Sequence, residues 1–195
     1  MRNSMDITRS YQFGKMILCH FTSVLICIVF EAVACWQFLA EPVWQYVIAA
    51  IFTFVYAILI YSMAHKLAGF DRKSYTPLKP SLKWGFLWGV VISATIAVAV
   101  ILFKLNWLIF SVDMAMNNVF SIIYNLLFYI WTAPYYGFII SESGGNIQLF
   151  VIVLMLAVPI VASTLGYLAG MNNFELIVKL DSMTVEKQDD DDDED

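Results

Sequence analysis

Charge is scarce through most of this chain, and the scarcity excludes much. Only 14% of the 195 residues are Asp, Glu, Lys or Arg, against about a quarter in an ordinary soluble domain. Histidine is scarcer still, with His20 and His65 the whole supply. No His-Glu-x-x-His zinc site, Gly-x-Ser-x-Gly elbow or Walker A loop occurs, so the motifs of hydrolytic and nucleotide chemistry are missing. No enzyme activity, cofactor or metal is expected. The three cysteines, Cys19, Cys27 and Cys35, all fall in one apolar segment. Turns of one helix that far apart cannot be joined by a disulfide, and positions eight apart spread around the helix rather than converging on a metal. No Asn-x-Ser/Thr acceptor is present. No clustered basic face of the kind that binds nucleic acid is present either.

Apolar residues fill the space. They make up 61% of the chain, aromatics 16%, and the mean hydropathy is +0.73. That composition implies an all-α integral membrane protein, a polytopic helical bundle with the lipid bilayer as its main partner. The net charge of −5 misleads as a whole. Seven of the sixteen acids form the terminal run Asp189 to Asp195, leaving nine acids against eleven basic residues elsewhere. Such a run is most simply a solvated end.

Residues 1–15 carry Arg2, Arg9 and Lys15 against Asp6 and read as a cytoplasmic N-terminal segment. The transmembrane domain is placed at 16–170, with spans near 16–40, 43–63, 84–103 and 147–168, and 171–195 as a polar tail. Ala32-Val33-Ala34-Cys35 resembles a cleavage site or a lipoprotein box. The preceding run is nevertheless long enough to span and has Glu31 beside the site, so the first helix is expected to be kept. Glu41-Pro42 suits a tight turn into the second span, with Trp36 and Trp44 in the interfacial belt. The stretch from Ala64 to Lys83 holds Lys66, Arg72, Lys73, Lys79, Lys83 and His65 against Asp71 alone, with Gly69, Pro77 and Pro80 arguing against a continuous helix. By the positive-inside rule this loop and the N-terminus are both cytoplasmic.

The segment 117–140 is ambiguous. Asn118, Ser121, Asn125 and Thr132 fall on one side at helical spacing, and Phe120, Ile123, Leu127 and Ile130 on the other. An amphipathic helix in the outer interface gives four spans and a cytoplasmic C-terminus. A fifth span, with the polar side turned into the bundle, puts the C-terminus outside. Charge bias favours four, and Pro134 should end or kink the segment.

Two ladders of small residues stand out: Gly85, Gly89, Ser93 and Ala97 in the third span, and Ala162, Gly166 and Gly170 in the last. In lipid, close backbone approach at small residues is a main adhesive between helices. The two ladders are expected to meet at the cytoplasmic ends of their helices. His20 and Glu31 are the ionisable residues deep in the spans. Eleven positions apart, they point within about 20° of each other and lie roughly 16 Å apart along a helix. They, with Asn118 and Asn125, form a candidate intramembrane polar site. The plainer expectation is that each snorkels to its nearer interface. Function follows as a non-enzymatic membrane subunit packing through its small-residue faces, as a homo-oligomer or within a larger complex. The alternative is a small-solute or ion transporter using Glu31 and His20.

Overall fold

A computed structural model describes residues 9–38, 42–73, 78–109, 119–140 and 147–172. The turn at Glu41, Asn118, the 141–146 connection and the acidic tail lie outside them. The described residues are helical, with no strand among them. The helices are α1 (Arg9–Phe38), α2 (Pro42–Asp71), α3 (Leu82–Ile109), α4 (Val119–Trp131), α5 (Tyr136–Ile140) and α6 (Leu149–Met171), with a 3₁₀ turn at Ala133–Tyr135 between α4 and α5. Of these, α1, α2, α3 and α6 are long and apolar enough to cross a membrane. The fold is an all-α bundle of four such helices.

These helices run past the boundaries expected from hydropathy. Helix α1 begins at Arg9 rather than near residue 16, and α2 continues through His65, Lys66 and Gly69 to Asp71. The extra turns are held by packing. Ala64, Leu67 and Ala68 are buried, and both Gln12 and Asp71 are buried polar residues. Gly69 therefore sits within a helix that tertiary contact sustains despite its low propensity.

Helix α6 is wedged between α2 and α3 and presents a different small-residue stripe to each. A Cβ on Gly85 would meet Tyr167 Cβ at 2.5 Å, and one on Gly89 would meet the Ile160 Cα at 2.5 Å. Ser93 donates to the Leu156 carbonyl at 2.7 Å, and Ser163 returns a bond to the Gly85 carbonyl at 2.8 Å. Ala97, farther along α3, is half-buried. The α3 ladder thus lies on Pro159, Ile160, Ser163 and Tyr167. Gly166 and Gly170 instead face α2, where a Cβ would fall 2.3 Å from the Tyr61 carbonyl oxygen and 2.4 Å from that of His65. Ala162 lies on the same side, lining an apolar groove with Ala57 and Tyr61. The expectation that the two ladders meet is therefore corrected. Position 166 is three residues beyond Ser163 and so lies about 60° around the helix from it, which aims it at the other neighbour.

The segment 119–140 takes neither form expected from sequence. Helix α4 has 13 residues, about 20 Å of length and too short for a hydrocarbon core of about 30 Å. Its first turns pair with the end of α3, where the Asn106 amide donates to Ser121 Oγ at 2.9 Å and to Asn125 Oδ1 at 3.1 Å. Phe128 then stacks on Phe103 at 4.1 Å, and the Trp131 indole donates to Thr95 Oγ1 at 3.3 Å. The chain turns at Thr132 to Tyr135, with Thr53 donating to the Pro134 carbonyl at 2.9 Å and Tyr135 beside Tyr56. It then climbs back along α2, with Gly137 against the Gln45 backbone and Phe138 beside Tyr46. The segment is a helical hairpin that enters and leaves at one end of the bundle. Its tip lies eleven residues down α2 from Pro42, roughly 16 Å.

Pro134 explains the turn, since it has no N–H to continue the helix and disfavours helical geometry in the residue before it. Irregular backbone at membrane depth is tolerated only when protein covers it. Ala133, Pro134 and Tyr135 are buried, and the exposed side chains of α4, among them Ile122, Ile123, Leu126 and Leu127, are apolar.

Candidate functional site

Helix α1 supplies the seam on which the site is built. Its buried positions are Gln12, Met16, His20, Ser23, Val24, Cys27 and Glu31, spaced by threes and fours and so gathered on one face. The opposite face, including Leu18, Leu25 and Val29, is exposed and mostly apolar, with the Thr22 hydroxyl bonded back to the Leu18 carbonyl. Four of the seven inward residues, Gln12, His20, Ser23 and Glu31, carry polar side chains, so the helix turns its polar side into the bundle and a mostly apolar side outward. Snorkelling does not describe His20 and Glu31. They are only 2% and 8% exposed, and both lie on the inward face.

At one end of the seam stands an ion pair. Asp71 is 0% exposed in its side chain and pairs with Arg9. It also accepts hydrogen bonds from Gln12 Nε2 and, at 2.6 Å, from the Tyr167 hydroxyl. Arg9 donates further to the Lys79 carbonyl at 2.7 Å and lies 4.5 Å from the Trp84 ring centre. The Ser81 amide donates to Tyr167 at 3.3 Å. One carboxylate therefore ties α1, α2 and α6 together, and Arg9 and Tyr167 extend the tie to the start of α3. Read from sequence, Asp71 is the lone acid of a basic loop; its helical placement is what reveals the cluster.

Midway along the seam His20 meets the hairpin tip. Its Nδ1 is 2.9 Å from the Tyr56 hydroxyl, and its ring centre lies 5.2 Å from that of Trp131. Tyr56 in turn stands 6.0 Å from Tyr135, ring to ring. Tyr56 and Tyr135 are 0% and 1% exposed. Both His20 Nε2 and the Tyr135 hydroxyl are buried without a hydrogen-bond partner among the described residues. Buried polar atoms are nearly always paired, so two orphans within one aromatic shell require an explanation. Farther along, Glu31 makes no hydrogen bond or ion pair among the described residues, and Cys27 lies one turn before it. No group of three metal-ligating side chains occurs among the described residues.

The structure thus gathers Gln12, His20 and Glu31 on one seam but leaves Asn125 elsewhere, bonded to Asn106 between α3 and α4. Asn106 was not singled out from sequence because it follows Lys104, where the span was expected to end. Tyr56 and Tyr135 carried no signal in a chain so rich in aromatics.

Fold and seam together define the chain as a multi-pass membrane protein with ionisable side chains buried between its helices. No protein-family model, curated protein or solved structure matches it.

Proposed function

We propose that this protein is a non-enzymatic membrane transporter that passes a small solute or ion along the inward face of α1. One observation carries the reading: His20 and Glu31, costly to bury in a membrane protein, are both held inside the bundle on one polar seam. The ladders no longer support an assembly subunit, because both are consumed by helix contacts within the chain. Assembly with copies of itself or with other proteins would use another surface.

The proposed orientation is with both termini in the cytoplasm, which puts Arg9, the basic stretch 64–83 and the Asp71 cluster at the inner end. The hairpin then enters from outside. In the four-helix bundle the seam runs from that cluster, through His20, to Glu31 near the outer end. Glu31→Gln keeps shape and removes the charge. In vesicles reconstituted with purified protein, the variant is expected to abolish ion or solute flux while leaving expression and thermal stability near wild type. Unchanged flux would remove Glu31 from the path.

A further inference from the structure

We propose that His20, Tyr56 and Tyr135 form a proton-binding site at the hairpin tip, and that the ion moved along the seam is the proton. The second clause rests on the transport reading above; the first stands on geometry alone.

His20 has one nitrogen engaged, by Tyr56, and one free of any described partner. A tyrosine hydroxyl both donates and accepts, so it can serve either tautomer of the ring. When a proton arrives, both ring nitrogens become donors. In the tautomer whose Nδ1–H donates to the Tyr56 oxygen, Nε2 holds the lone pair, and the arriving proton becomes its N–H. Release of a proton from Nε2 restores the starting ring. One proton is taken up and one given back, with no change in oxidation state and no other reactant.

The surroundings select for this ligand. A metal cation needs several oxygen or soft donors at once, whereas a proton needs one lone pair. Around His20 stand the rings of Phe21, Tyr56 and Trp131. The titratable groups near it are Cys19 and Cys27 on α1, with Glu31 three turns away, Tyr56 on α2, and Tyr135 at the tip, while Lys66 on α2 acts on Cys19. None of these supplies a carboxylate beside the imidazole. The hairpin explains why the site is where it is. It delivers Trp131 and Tyr135 to the level of His20, and Thr53 anchors the turn that positions them.

The test uses the full chain with ¹⁵N-labelled histidine in phosphatidylcholine nanodiscs, with His65→Gln removing the second signal. The expected result is that both His20 nitrogen resonances move reversibly with pH, and that Tyr56→Phe displaces the transition. Resonances constant between about pH 4 and pH 9 would overturn the site, as would a transition that Tyr56→Phe leaves unmoved. Proton uptake into vesicles holding a pH-sensitive dye separates the two readings. Titration together with uptake that His20→Gln abolishes supports both. Titration without uptake upholds the site and rejects transport. Uptake that survives His20→Gln rejects the site as the path and leaves transport standing.

Discussion

Asp71→Asn is expected to destabilise the folded protein by about 3 kcal/mol, the scale seen when one member of a buried ion pair is removed. For a chain of this length that corresponds to a fall in Tm of about 6 to 12 °C. The reason lies in the direction of the hydrogen bonds. Arg9, Gln12 and the Tyr167 hydroxyl all donate to the Asp71 carboxylate. An amide in its place turns one acceptor into a donor, sets it against donors, and leaves the Arg9 charge without its partner. Tyr167→Phe removes a single bond and should cost about 1 kcal/mol. Arg9→Ala and Asp71→Ala combined should cost less than the sum of the two, since each alone strands the other. Thermal unfolding in detergent measures all five variants, the double one included. A loss below about 0.5 kcal/mol for Asp71→Asn, the range of an ordinary surface change, would contradict the cluster's structural role.

Gly166→Leu is the second large effect. Even a single Cβ there would lie 2.3 Å from the Tyr61 carbonyl oxygen and 2.9 Å from its Cα. The obstacle is backbone, not a flexible side chain, so α6 must move away from α2. Overpacking of this kind costs about 1 to 3 kcal/mol for modest insertions, and the leucine should reach or exceed the upper figure. Gly69→Ala is the matched control. Nothing lies within 4 Å of its Cβ position, so alanine should be neutral, or stabilising by up to about 1 kcal/mol through helix propensity. Equal effects at Gly166 and Gly69 would refute the tight packing of α2 against α6.

These residues also show what the sequence could disclose. The spans were legible because about 20 apolar residues suffice to cross a bilayer, and the described residues hold four such helices. A small-residue ladder announces close approach but not the neighbour approached. Both ladders were visible, yet α6 carries two adjacent stripes, and only the packed bundle assigns Ser163 to α3 and Gly166 to α2. Pro134 marked a break in the 119–140 segment. It did not mark the return, which depends on Thr53 and on the Gln45 backbone accepting Gly137. His20 and Glu31 were conspicuous as ionisable residues in apolar surroundings. The surroundings of His20 were not, because Tyr56 and Tyr135 look like any other aromatic until the hairpin brings them together.

The measurement that tests the transport reading most directly is an accessibility scan of α1. Single cysteines are placed at Gln12, Met16, His20, Ser23 and Glu31 on the inward face and at Leu18, Leu25 and Val29 on the outward face, with the native cysteines replaced by serine. A water-soluble thiol reagent reacts with thiolate, which forms where water reaches and not in lipid. A conduit predicts labelling at inward positions through the middle of the helix and protection at Leu18, Leu25 and Val29. If the inward positions between Met16 and Ser23 resist labelling as fully as the outward ones, the seam is sealed packing and the transport reading is wrong.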